Sequence, residues 1–361
     1  MKHAPSSKHP STTRFVVVVV GVVLLGLGSI GALYAILTGA TRLLGKTATP
    51  ALPKTEDPVV IPESSFVPRL LDGSPVARGQ EAQRPWAFMM DNQLDARPAL
   101  GLSQANVVIE APVEGGITRF LALFDPSTSS TSIGAIRSAR PYFIEWAESW
   151  KAVFAHVGGS PEALDKLTRI PSTTLLDVNE MTQGESAYRR DPNRPSPHQV
   201  VTSVERFSGF LEASGTSTTT SFSSWRYRAP RAATSTVDVP SVRVPYGGGY
   251  SVRWVFDAGV GMYKRLQSIK PISATPLFAS NVVVLKTEAK ILDDKGRLKL
   301  KTIGSGDLVL YRDGKKYLGR WRRSMGEVMR FTSNEGIDLE LAPGTTWIQV
   351  TTDDTTFAGL E

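Results

Sequence analysis

The chain has 361 residues, of which 41% are hydrophobic and 21% are charged, and it has no cysteine. The length allows about two domains, and the absence of cysteine excludes disulfides, thiol nucleophiles, iron–sulfur clusters and cysteine lipidation. The formal net charge is +7, but residues 1–46 carry five basic residues and no acid, which leaves 36 basic and 34 acidic residues elsewhere. The excess charge is therefore local, and we expect no nucleic-acid partner.

The N-terminal region has the pattern of a membrane anchor. The 23 residues from Phe15 to Leu37 are uncharged and almost entirely apolar, which is long enough for a helix to cross the ~30 Å hydrocarbon core. We predict a basic cytoplasmic tail over residues 1–14, a transmembrane helix over 15–37 and a Pro/Thr-rich spacer over 38–83. This places the N-terminus inside a bacterial cytoplasmic membrane and the folded domains outside. The alternative is a signal peptide cleaved after Thr38-Gly39-Ala40.

A Ser/Thr-rich linker over residues 212–236 divides the remaining chain into two predicted domains. Within residues 84–211, short apolar runs alternate with segments of helical spacing, which predicts an α/β domain. The predicted strands of this domain are 86–90, 105–110, 117–124 and 152–157, and its predicted helices are 141–150 and 161–169.

The second predicted domain, residues 237–355, is mostly β. Residues 250–256 alternate apolar and polar side chains, and residues 282–285 form an apolar run typical of a buried strand. Asp313-Gly314 lies between two such runs and predicts a two-residue hairpin turn. We also predict a strand pair around residues 334–336 and a last strand over residues 346–350.

Two strand-to-helix turns and a neighbouring Gly-Gly segment supply the candidate ligand-binding residues. These residues are Arg119, Arg137, Ser138, Arg140, Gly158, Gly159 and Ser160. The start of a helix presents unpaired N–H groups and partial positive charge, which suits an anion, and arginine binds carboxylate or phosphate through two parallel hydrogen bonds. The structural alternative is that the glycines only form turns and that the arginines pair with internal acids such as Glu110 or Glu114.

The candidates for catalysis are few. Outside the N-terminal tail the chain has two histidines, His156 and His198, and either can act as a general base beside a carboxylate. The carboxylates that we consider are Asp91, Glu110, Glu114 and Asp191. No HxH or HExxH spacing occurs, and no GxSxG motif frames Ser138 or Ser160. We therefore expect no metal and no cofactor. Whether the protein is an enzyme stays open, although the sequence favours a protein without catalytic activity.

Several short motifs occur together in the order found in one family. They are Asp91-Asn92, Ala96-Arg97-Pro98, Glu114-Gly115-Gly116-Ile117-Thr118-Arg119-Phe120, Arg137-Ser138-Ala139-Arg140-Pro141, His156 with Gly158-Gly159-Ser160-Pro161, and Pro197-His198. Over about residues 84–352 the chain resembles the YerB-like lipoproteins of bacteria. The resemblance implies an α/β fold, a layered sandwich of two β-sheets plus a helical layer, in a protein anchored outside the cytoplasmic membrane. The activity of the family is unassigned, so the resemblance implies no catalytic role.

The chain departs from this family pattern at two places. YerB-like lipoproteins carry a lipidated cysteine, and here the predicted helix over residues 15–37 would replace it. Gln93-Leu94-Asp95 stands where many relatives have His-Pro before the Ala-Arg-Pro motif. If that histidine belongs to a metal or acid–base site, the site is incomplete in this chain.

The sequence therefore supports two hypotheses of function. The first is a membrane-tethered, extracytoplasmic binding or adaptor module for an anionic envelope polymer or an envelope protein. The second is a cell-envelope hydrolase or transferase that uses His156 or His198 for acid–base chemistry. A stretch over residues 286–330 has 13 basic and six acidic residues, which is either a solvated sheet surface or a contact with anionic polymers or lipids. The oligomeric state stays open.

Overall fold

The computed structural model describes residues 65–229, 237–247, 249–267 and 269–352. The predicted tail over residues 1–14, the predicted transmembrane helix over 15–37 and most of the predicted spacer lie outside these ranges. Among the residues that the structure describes, no helix is long and apolar enough to cross a membrane.

The regular secondary structure of the described chain is mostly β-strand, in mixed sheets with few helices. The strands are β1 Phe66–Pro68, β2 Pro75–Ala77, β3 Trp86–Asp91, β4 Val107–Pro112, β5 Thr118–Phe124, β6 Ile133–Gly134, β7 Val153–His156, β8 Leu176–Asn179, β9 Arg189–Arg190, β10 Val200–Thr202, β11 Ser241–Val244, β12 Val252–Asp257, β13 Met262–Gln267, β14 Phe278–Ala279, β15 Asn281–Lys286, β16 Ala289–Ile291, β17 Leu298–Leu300, β18 Gly304–Arg312, β19 Lys315–Arg323, β20 Arg330–Thr332 and β21 Thr346–Thr351. The α-helices are α1 Pro141–Ser149, α2 Pro161–Leu167, α3 Glu180–Gln183 and α4 Val204–Ala213. The predicted combination of sheets with helices is thus confirmed in a coarser form.

A ten-stranded mixed sheet forms the centre of the fold, in the order β20-β19-β18-β15-β21-β4-β5-β3-β7-β8. A four-stranded antiparallel sheet, β11-β12-β13-β14, packs on one of its faces through Trp254 and Tyr263. Helix α1 packs on the other face through Phe143 and Trp146. The central strands are buried on both faces, so they are apolar almost throughout instead of alternating.

Strands from both predicted domains are neighbours in this sheet. β21 pairs in parallel with β15 on one side and with β4 on the other, and the Thr346 N–H donates to the Asn106 carbonyl at 3.0 Å. The predicted linker also contributes to the core, because Trp225 is only 9% exposed and its Nε1 donates to the Met329 carbonyl at 2.7 Å. Because strands of both segments share one sheet, this sheet does not mark a boundary between them. The division into two domains stays a prediction.

Local sequence signals located the strands and turns well. The hairpin predicted at Asp313-Gly314 is confirmed between β18 and β19, with φ of 55° and 71° at the two turn residues, as a type I′ turn requires. Around residues 334–336 the structure has β20 on one side and, on the other, an isolated bridge between Thr332 and Asp338. The predicted strand pair there is therefore confirmed for its first strand, while its second is reduced to the bridge.

A buried ion pair lies between the two sheets. Arg265 on β13 donates from Nη2 to Oε2 of Glu110 on β4 at 2.9 Å, and both side chains are completely buried. Thr118 donates to the other Glu110 oxygen at 2.7 Å. The guanidinium also lies over the ring of Trp347, 5.1 Å from its centroid. This pair joins β13 to the centre of the ten-stranded sheet.

We predict that Arg265→Met lowers the free energy of unfolding by about 3–5 kcal/mol, because the Glu110 carboxylate is left buried without its cation. The double variant Glu110→Leu with Arg265→Met should recover most of this loss, since no uncompensated charge remains. Chemical denaturation measures both. Arg253→Met on the exposed face of β12 is the control and should change stability by less than about 0.5 kcal/mol. A loss for Arg265→Met as small as that of the control would contradict the importance of the pair.

Candidate functional site

Several polar residues meet at one edge of the ten-stranded sheet. β3, β7 and β8 are parallel, and β4 runs in the same direction because β5 is antiparallel to both β3 and β4. The carboxyl ends of these strands, and the start of β5, therefore share this edge. The turns after β3, β4, β6 and β7 carry most of the residues singled out in the sequence. We call this group the carboxyl-edge cluster; its members are Asp91, Glu114, Arg119, Arg137, Arg140 and His198.

Asp91 ends β3 and is fully buried. One of its oxygens, Oδ2, lies 2.8 Å from Nδ1 of His198 and 2.9 Å from Nε of Arg137. The other oxygen accepts the Gln93 N–H at 3.0 Å. His198 is 2% exposed, so the imidazole is held in one orientation against the carboxylate. This geometry suits acid–base chemistry at the second ring nitrogen, but no hydroxyl among the described residues is hydrogen-bonded to His198.

Glu114 and Arg140 form a second pair in the cluster. Arg140 precedes α1 and donates from Nε to both carboxylate oxygens of Glu114, at 2.9 and 3.1 Å, with a further contact from Nη2. Burial raises the pKa of Glu114, but the hydrogen bond from Arg140, one from the backbone of Glu114 and the charges of Arg140 and Arg119 together hold it below its ordinary value. The predicted alternative of pairing with an internal acid is therefore what the structure shows for Arg140.

Arg119 has a different environment. It lies beside Asp91 across β3 and β5 and is 6% exposed. Its Nη1 donates to the Ser138 carbonyl at 3.1 Å, its Nε has no hydrogen-bond partner, and no acid of the described chain forms an ion pair with it. Burial and the charge of Arg140 outweigh the opposing effects of Asp91 and Glu114, and together they lower the pKa of Arg119 to about 10. The side chain thus remains a cation at neutral pH.

The turn after β7 supports the cluster from one side. His156 is fully buried, with Nδ1 2.6 Å from the Gly158 carbonyl and Nε2 2.6 Å from Oδ1 of Asp177. Gly158 donates its N–H to the Asn179 side chain at 2.9 Å, and Ser160 donates its own to the Ala139 carbonyl at 3.3 Å. These groups are engaged within the protein.

Ser160 also caps α2, since its hydroxyl accepts the Ala163 N–H at 3.3 Å. Ala139 and Gly159 form a parallel bridge that ties this turn to the loop carrying Arg137 and Arg140. The turn formed by Gly158, Gly159 and Ser160 therefore has an observed structural role, and the predicted contact with a ligand stays a prediction.

The remaining candidates lie away from the cluster or beneath it. Asp191 is 3.7 Å from Nε of Arg194, and Glu110 belongs to the inter-sheet pair with Arg265. The two histidines each contact a different carboxylate, Asp177 and Asp91. Within the described ranges, no group of three or more His, Asp or Glu side chains is arranged to hold a metal ion.

Sequence reasoning assigned no role to some residues that organise the site, including Arg97 of the Ala96-Arg97-Pro98 motif. Arg97 donates from Nε to the carbonyl and the side-chain oxygen of Asn92, at 3.2 and 3.1 Å, and so fixes the loop after β3. Arg265 was also missed, although it occupies an inward position two residues after Tyr263 on an alternating strand. A charged residue at an inward strand position is the signal that indicates a buried partner.

Comparison with known proteins shows a family that the chain matches and a relative of known structure. Residues 71–217 match the N-terminal domain, and residues 242–348 the C-terminal domain, of the family described as "Protein of unknown function (DUF3048)". The Bacillus subtilis (strain 168) protein named "Putative lipoprotein YerB" is 28% identical over 278 residues, which cover 75% of this chain and 82% of that protein. The crystal structure of the YerB protein from Bacillus subtilis has a TM-score of 0.69 and 28% identity, and covers 78% of this chain and 95% of its own.

We predict that Glu114→Gln is less stable than the parent protein at neutral pH and that this difference shrinks on acidification. The pKa of Glu114 is lower in the folded state than the ordinary value of 4.5. Its carboxylate therefore stabilises the fold above pH 4.5, and this contribution is lost as the pH falls through the folded-state pKa. Urea denaturation at neutral pH and between about pH 5 and pH 3 measures the difference.

The control for this experiment is Glu205→Gln, which makes the same change at an exposed position in α4. It should alter stability little at any pH in this range. A Glu114→Gln difference that is independent of pH would show that the carboxylate charge does not stabilise the folded state.

Proposed function

Given that this chain belongs to the DUF3048 family of proteins of unknown function, we propose that it is a membrane-associated extracytoplasmic protein that binds an anionic group at the carboxyl-edge cluster. Arg119 is the central contact, and Arg137 lies beside it. The ligand class is a carboxylate or phosphate group of an envelope polymer or of an envelope protein.

The observation that carries this proposal is the buried, unpaired charge of Arg119. The cluster has three arginines and two acids. Asp91 is engaged by Arg137 and His198, and Glu114 is engaged by Arg140. Arg119 therefore has only a backbone carbonyl as its partner. A buried cation without a counter-charge costs several kcal/mol, and an oxyanion bound beside it would remove that cost.

The surroundings of Arg119 support access from solvent. Ser138, whose carbonyl it contacts, is half-buried, and the turn at Gly115 and Gly116 is exposed. A Cβ atom added at either glycine would meet no atom within 4 Å, so open space adjoins the turn between β4 and β5. Arg137 retains 18% exposure of its side chain and can donate to the same anion as Arg119.

The location at a membrane rests on two supports. The relative in Bacillus subtilis is named as a lipoprotein, and in this chain, which has no cysteine, the uncharged run from Phe15 to Leu37 would replace a lipid anchor.

The finer proposal is a single span with the N-terminus in the cytoplasm. Removal of residues 1–46 should then release the chain from the membrane fraction, and a truncated chain that stays membrane-bound would contradict the anchor.

The binding proposal is tested with inorganic phosphate. We expect phosphate at about ten times its Kd to stabilise the full-length protein by about 1.4 kcal/mol, a rise in Tm of about 3 °C, compared with chloride at equal ionic strength. Arg119→Gln should abolish this rise. The variant without ligand should be at least as stable as the parent, because the substitution removes an unpaired buried charge.

Arg322→Gln is the matched control, since it removes an exposed arginine on β19 and should keep the full response to phosphate. A phosphate response that survives in Arg119→Gln, or that disappears equally in Arg322→Gln, would contradict the proposed site.

The second candidate function is hydrolysis or group transfer at the Asp91–His198 pair. The observation that favours it is the 2.8 Å contact between Nδ1 and Oδ2, which matches the orientation of a general base. Release of soluble fragments from purified cell envelopes by the parent protein, but not by His198→Gln, would favour this candidate. Binding of envelopes by both proteins without release would exclude it.

A further inference from the structure

A cavity of about 220 Å³ lies between helix α4, the segment that follows this helix, and the first residues of β3 and β7. Because β3 and β7 are parallel, this edge of the ten-stranded sheet is opposite to the carboxyl-edge cluster, and no member of that cluster lines the cavity. The volume exceeds the ~150 Å³ of a protein cavity that holds benzene. A ligand with one compact apolar group therefore fits.

The walls of the cavity are largely apolar. Trp86 and Leu211 form the inner wall and are 5% and 7% exposed, while Val204 and Pro126 are half-buried and lie nearer to solvent. The ring of Trp86 packs against the ring of Phe207, with centroids 5.2 Å apart. An apolar group in this cavity is removed from water, which favours binding.

A buried arginine adds a positive charge to this cavity. Arg84 lines the cavity and is 6% exposed. Its Nε donates to the Lys151 carbonyl at 2.8 Å, and its Nη2 donates to the Ser172 carbonyl at 2.7 Å. The third guanidinium nitrogen, Nη1, has no hydrogen bond with a residue in the described ranges. The two carbonyls therefore hold the guanidinium in one orientation and leave one nitrogen to donate to a ligand.

The charge of Arg84 is unmatched within the described part of the chain. Burial lowers the pKa of the Arg84 guanidinium, and no acid of the described residues raises it. Glu212 also lines the cavity, but it is exposed on α4 and forms no ion pair with Arg84. A buried cation without a counter-charge is costly. A monoanion bound in the cavity would supply that counter-charge.

We propose that this cavity binds a small organic carboxylate with one compact apolar group. The carboxylate accepts a hydrogen bond from Nη1 of Arg84, and the apolar group lies against Trp86, Leu211 and Val204. A monoanion matches the single uncompensated charge, and the cavity volume limits the ligand to about the size of a benzoate. This inference is independent of the proposed function, since it uses other residues at the opposite edge of the sheet.

The test uses the full-length protein in nanodiscs of a neutral lipid, with para-fluorobenzoate as the probe and fluorine NMR as the readout. Phosphate buffer keeps the carboxyl-edge cluster occupied by another anion. We expect the protein to broaden the fluorine signal beyond the effect of empty nanodiscs, and an excess of benzoate to reverse this broadening. Acetate at the same concentration should not reverse it, because acetate lacks the larger apolar group. The neutral para-fluorobenzamide should bind about tenfold more weakly, because it cannot form a charged hydrogen bond.

Two variants test the cavity and its charge separately. Ser208→Trp fills the cavity from α4 and leaves Arg84 in place, so it should abolish binding of para-fluorobenzoate. Its matched control is Ser214→Trp, at an exposed position that does not line the cavity, and this variant should bind like the parent. Arg84→Gln should raise the Kd by about tenfold, because it removes the cation that the carboxylate contacts.

Four results would overturn the inference. They are no binding by the parent, equal binding by the parent and Ser208→Trp, equal affinities for the benzoate and benzamide probes, and competition by acetate as effective as that by benzoate. If Arg84→Gln does not fold, Ser208→Trp still tests the site, since it keeps the contacts of Arg84 with the two carbonyls. Arg119→Gln should bind the probe like the parent, and a loss of binding in this variant would place the probe at the carboxyl-edge cluster instead.

Discussion

The parallel pairing of β21 with β4 is the constraint on which the rest of the structure depends. It inserts the last described strand of the chain into the centre of the ten-stranded sheet, beside β4, which lies more than 200 residues earlier. This pairing aligns Gln349 with Glu110 and brings Trp347 against Trp254 of the smaller sheet, with ring centroids 5.2 Å apart. β21 also contributes to the layer that contains the Glu110–Arg265 pair, because the guanidinium of Arg265 lies over the ring of Trp347.

The same arrangement explains why the charged residues collect at one edge. Strands that run in the same direction end at the same edge of a sheet. The turns that follow them carry most of the polar side chains, because such side chains are costly to bury inside a sheet that is covered on both faces. Asp91 ends β3 and Glu114 follows β4, whereas Arg137 and Arg140 lie on the loop after β6, a strand of a separate three-stranded sheet. Internal pairing satisfies most of these charges, so the cluster is mainly architectural in its present form. Arg119 is the exception, because it lies near the start of β5 at this edge and is buried beside acids that other residues already engage.

Sequence patterns predicted the local elements and part of the site. The apolar runs at β3, β4, β5 and β7 and the Asp313-Gly314 turn are confirmed, because the side-chain period and the turn residues are local properties. The resemblance to YerB-like lipoproteins is confirmed as well. Strand partners could not be predicted in this way, since an apolar run does not specify which distant run it will pair with.

The site shows the same limit. The motifs carrying Arg119, Arg137 and Arg140 correctly indicated charged residues near one another, but a single sequence does not reveal which acid each arginine contacts. The glycines of the turn at Gly158–Ser160 suggested free N–H groups, whereas the fold uses those of Gly158 and Ser160 for Asn179 and for the bridging loop. A binding hypothesis based on a turn motif therefore depends on which backbone N–H groups are already hydrogen-bonded within the folded protein.

The most direct measurement of the central claim is a crystal structure of the protein grown with selenate, whose selenium atom gives an anomalous signal. We expect an anomalous peak from a bound selenate ion whose oxygen atoms lie about 3 Å from the guanidinium of Arg119. Arg137 should be a second donor to this ion. A well-ordered structure at saturating selenate with no peak at Arg119, and with its guanidinium paired to Glu114 or Asp91 instead, would contradict it.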